Sequence, residues 1–281
     1  MAPSILRHPS LGNILKLINR AGDKILLKNI IGTTGIIVSQ IGLGTVKWGR
    51  TTGVKYKTAF TLPEDHALCD LLAIASDCGI NLLDTAPAYG VSEERLGKLL
   101  KNQRKNWVIS TKAGEEWVND ASRFDFSKAG LEASVNRSLR RLHTDYLDIV
   151  LVHSNGEDLK LIHEEAVFET LDRLKEAGKI RAFGMSTKTI AGGLATIDQT
   201  DLAMVSFNAA YTDERPVLTY ANEKNKGIFI KKALSSGHLQ APSLQFALNE
   251  PGVTSVIIGT INPTHLRENT AQTELAVKKK Q

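Results

Sequence analysis

LDIVLVHSNGEDLKLIHEEAVFETLDRLKEAGKIRAFGMS (residues 147–186) holds one complete unit of the pattern on which the fold depends. A continuously apolar run (147–153) gives way to helical periodicity (163–178), which stops at Glu-Ala-Gly-Lys, and a second apolar run follows (180–186). Strands that are apolar on both faces and joined by helices belong to a parallel sheet covered on both sides. The pattern continues in both directions. Apolar runs recur at 41–44, 80–85, 107–112, 202–208, 227–232 and 255–260, with helix candidates near 64–78, 92–101 (Ser92 as its cap, carboxylates in its first turn), 128–142, 189–198, 214–225, 243–249 and 263–276. Eight strand-helix units fit a closed (β/α)8 TIM barrel better than an open doubly wound sheet of five or six strands, so the predicted class is α/β. Upstream, residues 28–40 read as a β-hairpin around Gly-Thr-Thr-Gly that plugs the barrel's bottom. Leu11, Ile14, Leu15 and Ile18 share one face of an extra N-terminal helix, capped by Ser10 and stopped at Gly22. The predicted organisation is a helical extension over 1–27 and one barrel domain over 28–281.

The 281 residues carry a net charge of +5, but the excess sits at the ends. Arg7, Lys16, Arg20, Lys24 and Lys28 oppose only Asp23, and Lys278, Lys279 and Lys280 close the chain, leaving a slightly acidic body. A nucleic-acid surface needs a basic stripe on the folded body, so that class is set aside. Cys69 and Cys78 fall on opposite faces of one helix, no apolar run is long enough for a membrane span, and the chain reads as cytoplasmic. Metal chemistry is excluded as well. His143, His153 and His163 are spaced evenly along the chain, and His-Glu-Glu-Ala-Val (163–167) lacks the second histidine of a zinc-helix motif.

In a barrel of this kind the active site lies at the C-terminal ends of the strands. The second run ends on Asp84, the third on Lys112 and the fourth on His153, and Tyr89 sits in the turn after the second. Each could separately be a cap, a solvated charge, a core histidine or a surface ring; their meeting on one rim is what singles them out. A phenol with a pKa near about 10 keeps its proton at neutral pH, and a neighbouring ammonium should lower that pKa and sharpen the acid. Asp84 keeps Lys112 charged, and a neutral His153 could orient a carbonyl by hydrogen bonding. Such a donor suits protonation of a carbonyl oxygen while the carbon is attacked.

These residues, with IGLGTVKWG (41–49), NLLDTAPAYGVSEERLGKLL (81–100), VISTKAG (108–114), DYLDIVLVH (145–153), LKEAGKIRAFGMST (174–187) and GVTSVIIGT (252–260), resemble the aldo-keto reductases over roughly residues 28–277. The resemblance implies a nicotinamide cofactor, NADP with NAD as the alternative, and reversible hydride transfer with the carbonyl of an aldehyde, ketone or sugar. It casts Tyr89 as the acid, Lys112 and Asp84 as its tuning pair, and His153 as the group that positions the carbonyl. It also implies cofactor contacts from Gly44, Thr45, Asp84, Ser186, Thr187, Asn208, Lys231, Gly259, Thr260, His265 and Asn269. Lys231 stands where many members stack an aromatic ring on the nicotinamide, and Gly259 and His265 stand where NADP-preferring members often carry Lys and Arg.

No Gly-x-Gly-x-x-Gly opens a helix, so a Rossmann site is not expected. The alternative phosphate site is the start of the last helix, where Asn262 would cap, Pro263 would stand first and free N–H groups would attract anions. In the long loop 45–65, Trp48, Tyr56 and Phe60 are candidate walls of a substrate pocket alongside Tyr89 and His153. The partner implied is a small carbonyl or alcohol, with no prediction of oligomeric state. A second reading keeps the same residues in a cofactor-binding, redox-sensing subunit resembling the β-subunits of potassium channels.

Overall fold

The computed structural model describes residues 14–15, 26–54, 56, 59–235 and 242–278. Eight parallel strands close a barrel: β4 (Ile41–Gly44), β5 (Leu82–Asp84), β6 (Val108–Ala113), β9 (Leu147–His153), β10 (Ile180–Ser186), β11 (Leu202–Ser206), β12 (Gly227–Lys231) and β13 (Ser255–Ile258), which pairs back onto β4. The ring follows chain order except that a small antiparallel hairpin, β7 (Glu115–Val118) and β8 (Ala121–Phe124), is inserted after β6. Around the barrel lie α1 (Asp65–Asp77), α2 (Ser92–Leu99), α3 (Lys128–Arg141), α4 (Asp158–His163), α5 (Val167–Glu176), α6 (Ile190–Gln199), α7 (Arg215–Glu223), α8 (Pro242–Asn249) and α9 (Pro263–Lys278). Seven of the eight predicted helices appear close to their expected spans. The predicted 163–178 segment instead begins at Val167 and is preceded by α4, a break at Ala166, whose φ of 50° no continuing helix can hold.

Apart from Arg181 on β10, the barrel strands are buried or half-buried on both faces, which is why their sequences run largely apolar without alternation. Outward side chains pack against the helices in one large cluster. Inward ones, including Leu82, Ile149, Leu151, Ala182, Leu202, Met204 and Phe229, form a second cluster with Ile31, Ile36 and Val38. Those last three belong to the hairpin of β2 (Lys28–Ile30) and β3 (Ile37–Ser39), so the bottom of the barrel is plugged as predicted. Burying three such side chains stabilises the closed end by roughly 1.5–3 kcal/mol each.

At the N-terminus the structure departs from the prediction where it can be compared. Ile14–Leu15 is β1, a two-residue strand antiparallel to Lys28–Asn29, where a helix was expected. The outer edge of β2 offers unpaired backbone groups that an extended segment satisfies and a helix cannot. The remainder of the predicted 1–27 helix lies outside the described residues. Cys69 is exposed on α1 and Cys78 closes that helix; both are free thiols. No helix among the described residues is long and apolar enough to cross a membrane.

Candidate active site

The upper rim is assembled by register. Asp84 ends β5 beside Gly44 and Ser110, Lys112 lies on β6 opposite Leu151, and His153 ends β9 opposite Ser186. Lys112 Nζ donates to both oxygens of Asp84, at 2.9 and 2.8 Å, and to the carbonyl of Thr85 at 2.8 Å. The pair is almost wholly buried, with side-chain exposures of 1% and 4%, so neither charge can exchange its partner for water. Lys112 Nζ stands 4.8 Å from the centre of the Tyr89 ring, and the His153 ring meets that ring edge-on at 6.4 Å. The turn that returns the phenol needs Gly90, at φ 62°; a Cβ there would lie 2.1 Å from the carbonyl oxygen of Gly49. The four residues expected from their strand-end positions therefore share one space.

The electrostatics differ from expectation in one respect. Burial pushes the Tyr89 hydroxyl above its ordinary pKa, and the opposing pull of Lys112 does not overcome it, because Asp84 offsets the ammonium. The phenol is thus a firmly protonated donor rather than a pre-loosened one. Lys112 is held above its usual value: burial opposes the charge, but Asp84 and Tyr89 more than offset this. Burial lowers His153, with Lys112 and Lys231 adding to the effect and Glu115 opposing it.

A cavity of about 1130 Å³ opens from this rim, just above the roughly 300–1,000 Å³ usual for small-molecule sites. Its walls include every residue that the resemblance implied: Gly44, Thr45, Asp84, Ser186, Thr187, Asn208, Lys231, Gly259, Thr260, His265 and Asn269. Thr45 is a structural hub; its N–H and hydroxyl donate to the Asp84 carbonyl at 2.9 and 3.1 Å, and its Oγ1 accepts from Ser92 at 2.7 Å. Ser92, expected as a helix cap, spends its hydroxyl on this link instead, and Val91 stands at the cap position. Asp158, buried at the start of α4, accepts from Ser154 just after His153 and from the N–H groups of Lys188 and Thr189 at 2.9 and 2.8 Å. One carboxylate so ties the loop after β9 to the loop after β10.

Two features bear on a nicotinamide group. Thr187 Oγ1 is buried in the cavity wall without a hydrogen-bond partner, an orphan that a ligand amide would satisfy. Asn208 is more committed: its amide donates to the Lys232 carbonyl at 3.0 Å and accepts from Ala210 N–H at 2.9 Å. The donor set fits a carboxamide. At the far wall, Asn262 Oδ1 accepts from Thr264 and His265 N–H at 2.8 and 3.3 Å, so the start of α9 is capped as predicted but its first donors are less free than expected.

Lys231, at the end of β12, is a half-buried amine in the cavity wall. It donates to Ser186 Oγ at 2.9 Å and to the Thr187 carbonyl at 2.6 Å. Burial pushes its pKa down to about 7 against the pull of Glu214, with Lys232 and Lys112 adding to the fall. A lysine whose folded pKa is depressed binds fewer protons folded than unfolded between about pH 7 and about 10.4, so stability rises with pH across that window. Lys231→Met is accordingly expected to raise the melting temperature more at pH 6 than at pH 9, read by thermal unfolding at both values. An equal change at both would contradict the depressed pKa.

Two sequence expectations about the loop 45–65 separate here. Tyr56 lines the cavity, its ring 4.0 Å from Lys47 Nζ and edge-on to Phe60 at 5.6 Å, and its hydroxyl approaches Gly259. Trp48 does not line it. The short helical turn over 46–48 drives that indole into the core, fully buried, and it cannot wall a substrate pocket. Sequence reasoning also missed the β7–β8 hairpin, which sets Glu115 Oε2 2.7 Å from His153 Nδ1 and lays Trp117 under the Arg50 guanidinium. Its signal was Asn119-Asp120, both at positive φ (52° and 60°), between two four-residue strands. No cluster of metal-ligating side chains occurs among the described residues.

The profile of the Aldo/keto reductase family matches residues 40–243. A solved structure assigned to the aldo-keto reductases, from Pseudomonas aeruginosa, is 49% identical, covers 89% of this chain and 95% of its own, and superposes with a TM-score of 0.83. An uncharacterized oxidoreductase of Bacillus subtilis, YqkF, is 28% identical over 86% of this chain and 89% of its own length. The NADH-specific methylglyoxal reductase of Escherichia coli is 36% identical over 55% of this chain and 50% of that enzyme.

Proposed function

The chain belongs to the Aldo/keto reductase family, an oxidoreductase family, and from that premise we propose that it reduces the carbonyl of a small aldehyde, ketone or sugar reversibly, with Tyr89 delivering the proton. The observation that carries the reading is the enclosed Asp84–Lys112 pair set against the Tyr89 ring, with His153 on the same rim. A nicotinamide dinucleotide, when bound, would supply the hydride at the carbonyl carbon. This chain's residues do the rest. Tyr89, kept protonated by burial, donates to the oxygen as negative charge builds there. The Lys112 ammonium stabilises the phenolate left behind, and Asp84 holds that ammonium in place and charged. In the reverse direction the phenolate takes the alcohol proton back. Thr187, Ser186 and Asn208 would hold the carboxamide, and Gly259, Thr260, His265 and Asn269 the far end of the cofactor.

NADP is proposed as the cofactor, with Thr260 and Asn269 providing neutral hydrogen-bond donors for its phosphate. Gly259 and His265 bring no fixed charge there, so the margin over NAD should be small. A fluorescence titration of the protein with NADPH and with NADH is expected to show both binding, NADPH more tightly by less than about tenfold, a margin of under about 1.4 kcal/mol. Tighter binding of NADH would reverse the cofactor assignment, and binding of neither would overturn the enzymatic reading.

A further inference from the structure

Chain direction changes sharply at the end of β6. Gly114, at φ 95°, turns the backbone where a Cβ would collide with Phe126, and Glu115 follows at the start of β7 beside the His153 imidazole. Its Oε1 accepts from the Ser122 hydroxyl across the hairpin, and this anchor sets Oε2 2.7 Å from Nδ1. Side-chain exposures of 12% for Glu115 and 21% for His153 keep water from competing freely. The approach is too oblique for a formed hydrogen bond, and among the described residues Nδ1 has no hydrogen-bond partner. A carboxylate only accepts, so an anionic oxygen this close favours the proton on Nδ1, where a small rotation of the ring completes the bond.

We propose that Glu115 is a positioning residue that holds the His153 proton on Nδ1, leaving Nε2 an acceptor while the ring is neutral and a donor only once the ring is protonated. The proposal rests on the carbonyl-reductase reading of the same rim. A carbonyl oxygen only accepts, whereas an alcohol hydroxyl can donate. Neutral His153 therefore suits the alcohol, and the imidazolium suits the carbonyl. Carbonyl reduction should fall and alcohol oxidation should rise as pH climbs through the His153 titration.

The groups facing this pair set its range. Lys112 from β6, Lys231 from β12 and burial disfavour the imidazolium, Glu115 from β7 favours it, and Tyr89 from the turn after β5 presents a neutral ring. Glu115 is itself held as the anion, with a pKa of about 2: burial opposes this, but His153, Ser122 and Lys188 outweigh it. Arg50 lies near enough to Glu115 to feel its charge.

Long-range ¹H–¹⁵N NMR of the histidine-labelled, cofactor-free full chain at about pH 8 reads the tautomer directly. His153 is expected as the Nδ1–H form, and Glu115→Ala is expected to move it toward Nε2–H. Glu115→Gln keeps the volume and should lower the pH midpoint of His153 by roughly one unit. The pH profiles of reduction and oxidation should move by the same amount. An Nε2–H tautomer in the unaltered protein overturns the proposal, as does a midpoint unchanged in Glu115→Gln. Should Glu115→Ala not fold, those two measurements still decide. The NMR reading needs neither cofactor nor substrate, so its failure would leave the reductase reading standing, while loss of that reading would show in the Tyr89 variant and leave the tautomer intact.

Discussion

Tyr89→Phe is expected to lower carbonyl reduction by roughly 10²–10⁴-fold, the usual worth of a placed general acid, while cofactor affinity stays unchanged. Phenylalanine keeps the ring, so the edge contact with His153 and the packing beside Lys112 survive. Only the hydroxyl goes, and with it the proton that must reach the carbonyl oxygen. Because burial holds the phenol above its ordinary pKa, the unaltered enzyme should not lose activity through Tyr89 ionisation at mildly alkaline pH. Steady-state rates with an aldehyde, beside fluorescence titration of the same preparation, separate the two quantities. Turnover within a factor of a few of the parent, with normal cofactor binding, would assign the acid elsewhere.

Lys112→Met is expected to damage both activity and stability. The ammonium makes three hydrogen bonds, two to Asp84 and one to the Thr85 carbonyl, and Asp84 is only 3% exposed. Removing the cation strands a buried carboxylate, which costs about 3–5 kcal/mol in comparable pairs. Urea unfolding should show that loss, and the rate of carbonyl reduction should fall nearly as far as in Tyr89→Phe. The double variant Asp84→Asn with Lys112→Met removes both charges and should recover much of the stability but none of the rate. Full stability in the single variant would mean that the pair is not enclosed as described; recovered rate in the double variant would mean that the ammonium does not support the acid.

Much of this site was legible in the linear chain. Apolar runs ending on Asp84, Lys112 and His153 could be read because a barrel strand delivers its last residue to one rim, and strand ends follow from local composition. The plug was legible too, since Gly-Thr-Thr-Gly between two apolar segments specifies a hairpin through backbone preference alone. Other residues resisted for physical reasons. Ser92 looked like a cap, but buried Thr45 competes for its hydroxyl from forty-seven residues away. Trp48 looked like a pocket wall, yet the helical turn that carries it points its large apolar ring where burial stabilises it most. Glu115 carried no signal as a partner of His153, because the Gly114 turn that joins them acts across strands.

By itself the sequence determined the order of the barrel strands, the closure into eight units and which of the expected titratable groups reach the mouth, because periodicity and strand ends are local properties of the chain. Only the tertiary structure decided the state of those groups. Whether Tyr89 gains or loses acidity depends on how fully it leaves water and on whether Asp84 has already offset the charge of Lys112. Which nitrogen of His153 holds a proton depends on a carboxylate from a different strand. Desolvation and through-space charge act over a few ångströms between segments that the chain sets far apart, and no reading of neighbours along the chain contains those distances.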